Sequence, residues 1–277
     1  MEQKRKLFCE YGAAAYALSA AKCRVQRRVR DAVSGERFAR QKEETPLPVL
    51  IYDHNSLIRR TLGTVDMRLQ DNKAYNLGLA APHVNGILIH PGETFSFWRL
   101  VGACTARRGY REGLTIRQGM PHSGIGGGMC QFTNLIHWMV LHTPLTITEH
   151  HHHDDYDLFP DYGRQVPFGV GTSILYNYLD YRFRNDTEQT FQLLVYSDGC
   201  YLRGELRAER ALTQSCHIHA EQEFFSREGD AVYRNNVVFR EWFDKKTGQC
   251  LLREPIKSSH AKVLYDTSNL TCIQNQP

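Results

Sequence analysis

Gly124-Ile125-Gly126-Gly127-Gly128-Met129-Cys130-Gln131 is the stretch on which the fold turns. Four glycines in its first five positions accept a loss of conformational entropy that chains carry where backbone must bend sharply or approach another group closely. Directly after it, Phe132, Leu135, Ile136, Met139 and Val140 recur at helical spacing. That pattern predicts a deeply placed helix over 131–141. The loop therefore ends on a helix start, with Cys130 at the first turn.

On the C-terminal side the period changes from helical to alternating. Leu179, Tyr181 and Phe183 alternate up to Asn185-Asp186-Thr187-Glu188, and Phe191, Leu193 and Val195 alternate after it, which is the pattern of a hairpin. A second hairpin is predicted where Val237, Phe239 and Glu241 lead through Asp244 to Gly248 into Cys250, Leu251 and Leu252. On the N-terminal side, His90-Pro91-Gly92 forms a turn, and Thr94, Phe95, Ser96 and Phe97 alternate as a half-buried strand would. Residues around Ala74 to Val84 are helical in character. Pro46 and Pro48 mark a boundary. From Gly12 to about Arg40, Ala, Leu, Arg and Gln favour one or two helices. These readings predict an α+β protein: a basic helical segment over 1–45, a mixed domain over 46–207 and a β-rich extension over 208–277.

At 277 residues, 42% of them hydrophobic, the chain can bury a sizeable core, which excludes a disordered polymer. The net charge is +4, yet residues 1–44 hold eleven Lys/Arg against six Asp/Glu, so the basicity is local. Lys4, Arg5, Lys6, Lys22, Arg24, Arg27, Arg28 and Arg30 suit either a solvated helix face or an anionic surface such as lipid headgroups or wall polymer. No specific nucleic-acid partner is indicated. The eight cysteines contain no CxxC pair, so neither a zinc knuckle nor a compact disulfide framework is expected, and most are expected to be buried thiols. Glu10 and Lys22 interrupt the apolar stretch after the basic start, which argues against a signal peptide. No apolar run is long enough for a membrane span. A cytoplasmic or peripherally membrane-attached protein is expected.

Cys130 carries the sharpest chemical expectation. At a helix start, free N–H groups and the positive end of the dipole favour thiolate, the nucleophilic form, and the same N–H groups can hold an oxyanion in acyl transfer. The alternative is a loop followed by a small buried thiol. A phosphate-binding loop is a poorer match, since the Lys-Ser/Thr of a P-loop is missing. A nucleophile needs a base within reach. His137 and His142 share the helix with Cys130, and His137 is about 10 Å up its axis, so they read as helix residues. His150 to His153 follow the Thr143-Pro144 break, and in an extended segment His151 and His153 share one face. His151, His153 and Asp155 also make a weak metal set; no cofactor is expected. Glu93, following its turn, is either a carboxylate supporting the site or a turn residue. Asn185-Asp186-Thr187 matches a glycosylation sequon but reads as the hairpin turn.

Taken in order, Pro91-Gly92-Glu93-Thr94-Phe95-Ser96-Phe97-Trp98, Gly113-Leu114-Thr115, Gly126 to Gln131, Leu141 to Ile147 and Arg184 to Glu188 resemble the VanW family over roughly residues 50 to 207. The resemblance implies association with the bacterial cell envelope and glycopeptide resistance. It also implies an L,D-transpeptidase-type acyl transfer on peptidoglycan stem peptides or their precursors, through a cysteine acyl-enzyme. The family's GGGxCQ falls on Gly126, Gly127, Gly128, Cys130 and Gln131, and its Glu-Arg-His-x-His falls on Glu149 to His153, carrying over His151 and His153. His153 is taken ahead of His151 as the proton relay, with backbone around Gly128 to Gln131 holding the oxyanion. Two positions depart from the pattern. His150 replaces an arginine, and Gly171 stands where the family's Gly-x-Asp-Ala-Thr has its aspartate. The second departure implies either a substitute such as Asp154 or Asp155, or a non-catalytic module that binds a wall precursor or an envelope partner.

Overall fold

The computed structural model describes residues 7–60, 66–117, 120–152, 155–158, 160 and 165–274. The fold is α+β. Among the described residues the helices are α1 (Ala13–Val33), α2 (Met67–Val84), α3 (Phe97–Val101) and α4 (Met129–Leu141). As the apolar spacing predicts, α4 is the central one. Phe132, Leu135, Ile136, Met139 and Val140 are all buried.

This helix lies across an antiparallel sheet whose strands run in the order Val49–Leu57, Tyr201–Ala208, Phe191–Ser197 and Ile87–Ile89. Gly204, mid-strand, admits the helix: a Cβ there would sit 2.6 Å from Met139 Cε and 3.1 Å from Leu135 Cδ2. A second sheet orders Arg37–Phe38, Glu93–Ser96, Arg182–Arg184 and Thr146–Glu149. Phe95 and Phe183 stack at its centre with ring centroids 4.7 Å apart. A third sheet is dominated by long antiparallel strands, Gln214–Glu228, Ala231–Asp244 and Cys250–Val263.

The C-terminal hairpin forms as expected. Asp244 closes its turn by accepting the N–H groups of Lys246 and Thr247, and Gly248 takes a φ of 71°. The hairpin expected around 185–188 does not form. Arg182–Arg184 pairs with Glu93–Ser96 and Thr146–Glu149, whereas Phe191–Ser197 pairs with Tyr201–Ala208. Asn185 explains the change of sheet: it is buried, and its amide donates to the carbonyls of Ile89 and Gln189, so it pins a crossing. The same burial occupies the sequon's asparagine.

Three smaller expectations are also revised. Thr94, Phe95 and Ser96 are all buried, because this strand is internal to its sheet, and Phe97 already starts α3. α2 begins at Met67, well before Ala74, since polar Gln70, Lys73 and Asn76 also face inward. Of the eight free cysteines, Cys200 and Cys250 are exposed and the rest half-buried.

Candidate functional site

The glycine loop is built by close packing. A Cβ on Gly127 would lie 2.3 Å from the Gly113 carbonyl carbon. Gly128, the N-cap of α4, has a φ of 110°, and its missing side chain makes room for the Lys73 stem. Asn76 fastens the loop by donating to the carbonyls of Gly127 and Arg111 at 3.0 and 2.9 Å. Several loop N–H groups are also engaged: Gly126 donates to Arg111, Gly127 to Gly124, and Gln131 to the Gly128 carbonyl. The Gln131 amide ties the head of α4 to the sheet through Ser56 Oγ at 2.8 Å and the Leu57 carbonyl at 2.9 Å.

Cys130 stands on the first turn of α4 and faces the segment 172–174. Burial pushes its thiol pKa up, while the backbone N–H groups of Ile174 and of Cys130 itself pull it down; the net direction is upward. One turn on, Asn134 Oδ1 accepts from the Thr172 N–H at 2.7 Å and the Thr172 hydroxyl at 2.9 Å. Thr133 and Thr172 share a short 2.5 Å hydrogen bond. Two turns on, His137 is buried, bonded through Nδ1 to the Tyr181 hydroxyl at 3.1 Å. Burial, with His150 nearby, holds it well below the usual histidine range and hence neutral. Cys130, Thr133, Asn134 and His137 thus form one polar stripe on a helix that is otherwise apolar apart from Gln131.

The histidine segment splits between two directions. His150 stacks on His137, with centroids 4.3 Å apart, and its Nε2 donates to the Gly171 carbonyl at 2.7 Å. His152 lies on the same side, its ring 6.4 Å from that of His150. A Cβ on Gly171 would sit 3.1 Å from His152 Nε2, so the position where the sequence pattern lacks its aspartate faces this imidazole. His151 turns the other way, with Nε2 2.9 Å from Glu149 Oε1. His153 and Asp154 lie outside the described residues.

The remaining candidates are placed elsewhere. Glu93 closes its turn by accepting the His90 N–H at 3.0 Å. The Asp155 carbonyl accepts the Lys262 N–H, which places that residue at the edge of the third sheet. Among the described residues, no three His, Cys, Asp or Glu side chains converge as metal ligands would.

A groove of about 910 Å³ opens at the His137 end of the stripe, with His137, His150 and His152 on one wall and Arg240, Trp242 and Glu254 of the third sheet on the other. Arg240 and Glu254 are paired at 2.5 Å. The groove can hold an extended peptide across the three imidazoles, and of the stripe it is His137 that lines it; Cys130 lies two turns, about 10 Å, back along the axis of α4. Sequence reasoning did not single out Thr133, Asn134 or Thr172, and it set His137 aside as a helix residue. The signal was present in the i, i+3, i+4, i+7 polar spacing that starts at Cys130.

A family model described as VanW like protein matches residues 72–207. The chain is 34% identical over 237 residues to the Vancomycin B-type resistance protein VanW of Enterococcus faecalis, an alignment covering 86% of each chain. It is 29% identical over 121 residues to the uncharacterized protein YoaR of Bacillus subtilis, covering 43% of this chain and 37% of that relative. No solved structure matches.

Proposed function

Because this chain belongs to the VanW family, we propose that it is a glycopeptide-resistance-associated protein of the bacterial cell envelope in which Cys130 transfers the acyl group of a peptidoglycan stem peptide. The observation that carries this reading is the place of Cys130 on the first turn of α4, directly after the glycine loop that ends on the N-cap Gly128. A helix start favours the thiolate and offers N–H donors to an oxyanion forming beside it. The thiolate adds to an amide carbonyl, the amine leaves with the proton held by a histidine, and a thioester remains. A second amine then attacks the thioester and returns the sulfur as thiolate. Among the described histidines, His152 is the relay best supported, with His153 retained from the family pattern. The groove at the His137 end of the stripe would receive the part of the peptide away from the reacting carbonyl.

A second reading is favoured by two observations: burial raises the Cys130 thiol, and Gly171 offers His152 no carboxylate. The protein is then a non-catalytic module that binds the wall peptide or its precursor. Iodoacetamide labelling of Cys130 against pH separates the two. It is mapped by mass spectrometry in the wild type, in His152→Ala and in a His151→Ala/His153→Ala double variant. The enzyme predicts a midpoint below the ordinary thiol value of about 8.5 that is lost when the operative histidine is removed. A midpoint above that value, with stem-peptide binding intact in Cys130→Ala, establishes the binding module. Full acyl transfer by Cys130→Ala overturns the first reading.

A further inference from the structure

Among the described residues, α1 is held to the body of the protein by one face. Arg27 donates to both oxygens of Glu149 at 2.6 Å and to the Tyr178 carbonyl at 2.9 Å. One turn later, Asp31 accepts from Arg182 at 2.8 and 2.9 Å. These pairs fix the rotation of the helix about its axis, and therefore also fix what it shows to solvent.

At 100° per residue, the direction opposite Arg27 and Asp31 is occupied by Leu18, Val25, Val29 and Val33, which are 63, 58, 56 and 77% exposed. A helix that ordinarily buries its apolar stripe against the core has here turned its polar residues inward and its apolar ones outward. Lys22 lies within the stripe, between Val29 and Val33 on the helix circumference, and Arg28 lies to one side of it, where it also lines a cavity with Trp98 and Tyr176; both are exposed. The one acidic residue of α1, Asp31, is buried against Arg182.

We propose that this outward face of α1 lies on an anionic lipid surface, with Leu18, Val25, Val29 and Val33 in the acyl boundary and Lys22 and Arg28 at the headgroups. Charge selects this occupant. A second copy of the helix would bring Lys22 and Arg28 toward their own kind with no exposed carboxylate on α1 to meet them, whereas an acidic headgroup layer neutralises both. No helix among the described residues is long and apolar enough to cross a membrane, so the contact is peripheral. Since Glu149 touches the inner face of α1, the segment carrying His150 and His152 would sit about one helix diameter, ~10 Å, from the lipid.

The test is vesicle flotation with the full chain, using phosphatidylcholine vesicles with and without phosphatidylglycerol. The expected result is binding that requires phosphatidylglycerol and weakens as salt is raised. It falls by about tenfold or more in Val25→Asp/Val29→Asp and loses its salt dependence in Lys22→Glu/Arg28→Glu. Circular dichroism and melting of both variants should match the wild type, since all four residues are exposed. Absence of phosphatidylglycerol-dependent binding by the folded wild type overturns the proposal, as does unchanged binding by the Val25→Asp/Val29→Asp variant. A dimer in sedimentation equilibrium that this variant abolishes also overturns it, by assigning the face to a second copy.

Discussion

Gly171 faces His152: a side chain begun at position 171 would start 3.1 Å from the imidazole Nε2 and 3.8 Å from Asn134 Oδ1. Gly171 is not among the glycines with positive φ, so an L-residue is admissible once His152 gives by a few tenths of an ångström. Restoring the family's aspartate with Gly171→Asp would therefore bring a carboxylate against His152, and an opposite charge at that range favours the imidazolium. The His152 midpoint, followed by imidazole NMR, is expected to rise by about one unit or more above that of the wild type. An unchanged midpoint would mean that the carboxylate turns elsewhere and that position 171 does not govern this histidine.

Arg182 lies among Asp31, Asp180 and Glu149, at 2.8 Å from the first two and 3.6 Å from the third. Removing a buried cation from such a set leaves uncompensated carboxylates, so Arg182→Met should cost about 3–5 kcal/mol at neutral pH. The acid response has a definite sign. Burial pushes Asp31 up, but the Arg182 hydrogen bonds and neighbouring charges outweigh it. Burial acts on Glu149 likewise, and the Arg27 hydrogen bonds, with the Asp180 N–H and His151, outweigh it. Both carboxyls thus lie below their ordinary 3.8 and 4.5. Their stabilisation is complete above those values and is lost as pH falls through the lowered ones. Asp180, raised by burial, offsets part of this loss. In urea titrations the gap between wild type and Arg182→Met should therefore close below about pH 4. A gap that persists into strong acid would assign the cost to packing.

Local features of this fold were legible where the sequence period alone decides them. α4 and the Asp244–Gly248 hairpin are of this kind. The crossing at Asn185 was not, because a turn residue and a buried pin have the same composition, and only the distant carbonyls of Ile89 and Gln189 distinguish them. The site divides in the same way. Cys130 stood out through the glycines before it, whereas alternation along 150–153 gives two faces without saying which one meets α4. The contact of His152 with Gly171 and of Asn134 with Thr172 depends on chain brought back from the far side of the Pro144 break.

The glycines of the loop and of the sheet differ in what surrounds them, and the difference is measurable. At Gly127 a methyl would meet the Gly113 backbone at 2.3 to 2.7 Å, and backbone held between Asn76 and Arg111 has little room to give. At Gly204 it would meet the end of Met139 at 2.6 Å, and a thioether side chain can change rotamer. Gly127→Ala should then cost about 3 kcal/mol or more, at or beyond the upper end for overpacking, and Gly204→Ala nearer 1 kcal/mol. Thermal or urea unfolding of the two variants checks the order. Equal costs would show that the loop yields as readily as a methionine.

Lys73 lies beneath Gly128 with its stem against the head of α4, and no carboxylate pairs with it among the described residues. Burial, reinforced by Arg60 and Arg59, lowers its pKa from 10.5 to about 8. At pH 7 the ammonium is therefore carried into the fold at a cost of about 3 kcal/mol. Between about pH 8 and 10.5 the unfolded chain binds the proton that the folded chain has released, so this penalty is relieved as pH rises. Lys73→Met keeps the stem's volume and removes the charge. It should stabilise the protein by about 1–3 kcal/mol at pH 7, with the advantage shrinking through that window and gone above it. Comparing the variant with the wild type at each pH cancels the other groups that titrate in base, such as Tyr110, which burial raises. A Lys73→Met protein destabilised equally at pH 7 and pH 10 would mean that the amine is held by a favourable interaction at the glycine loop.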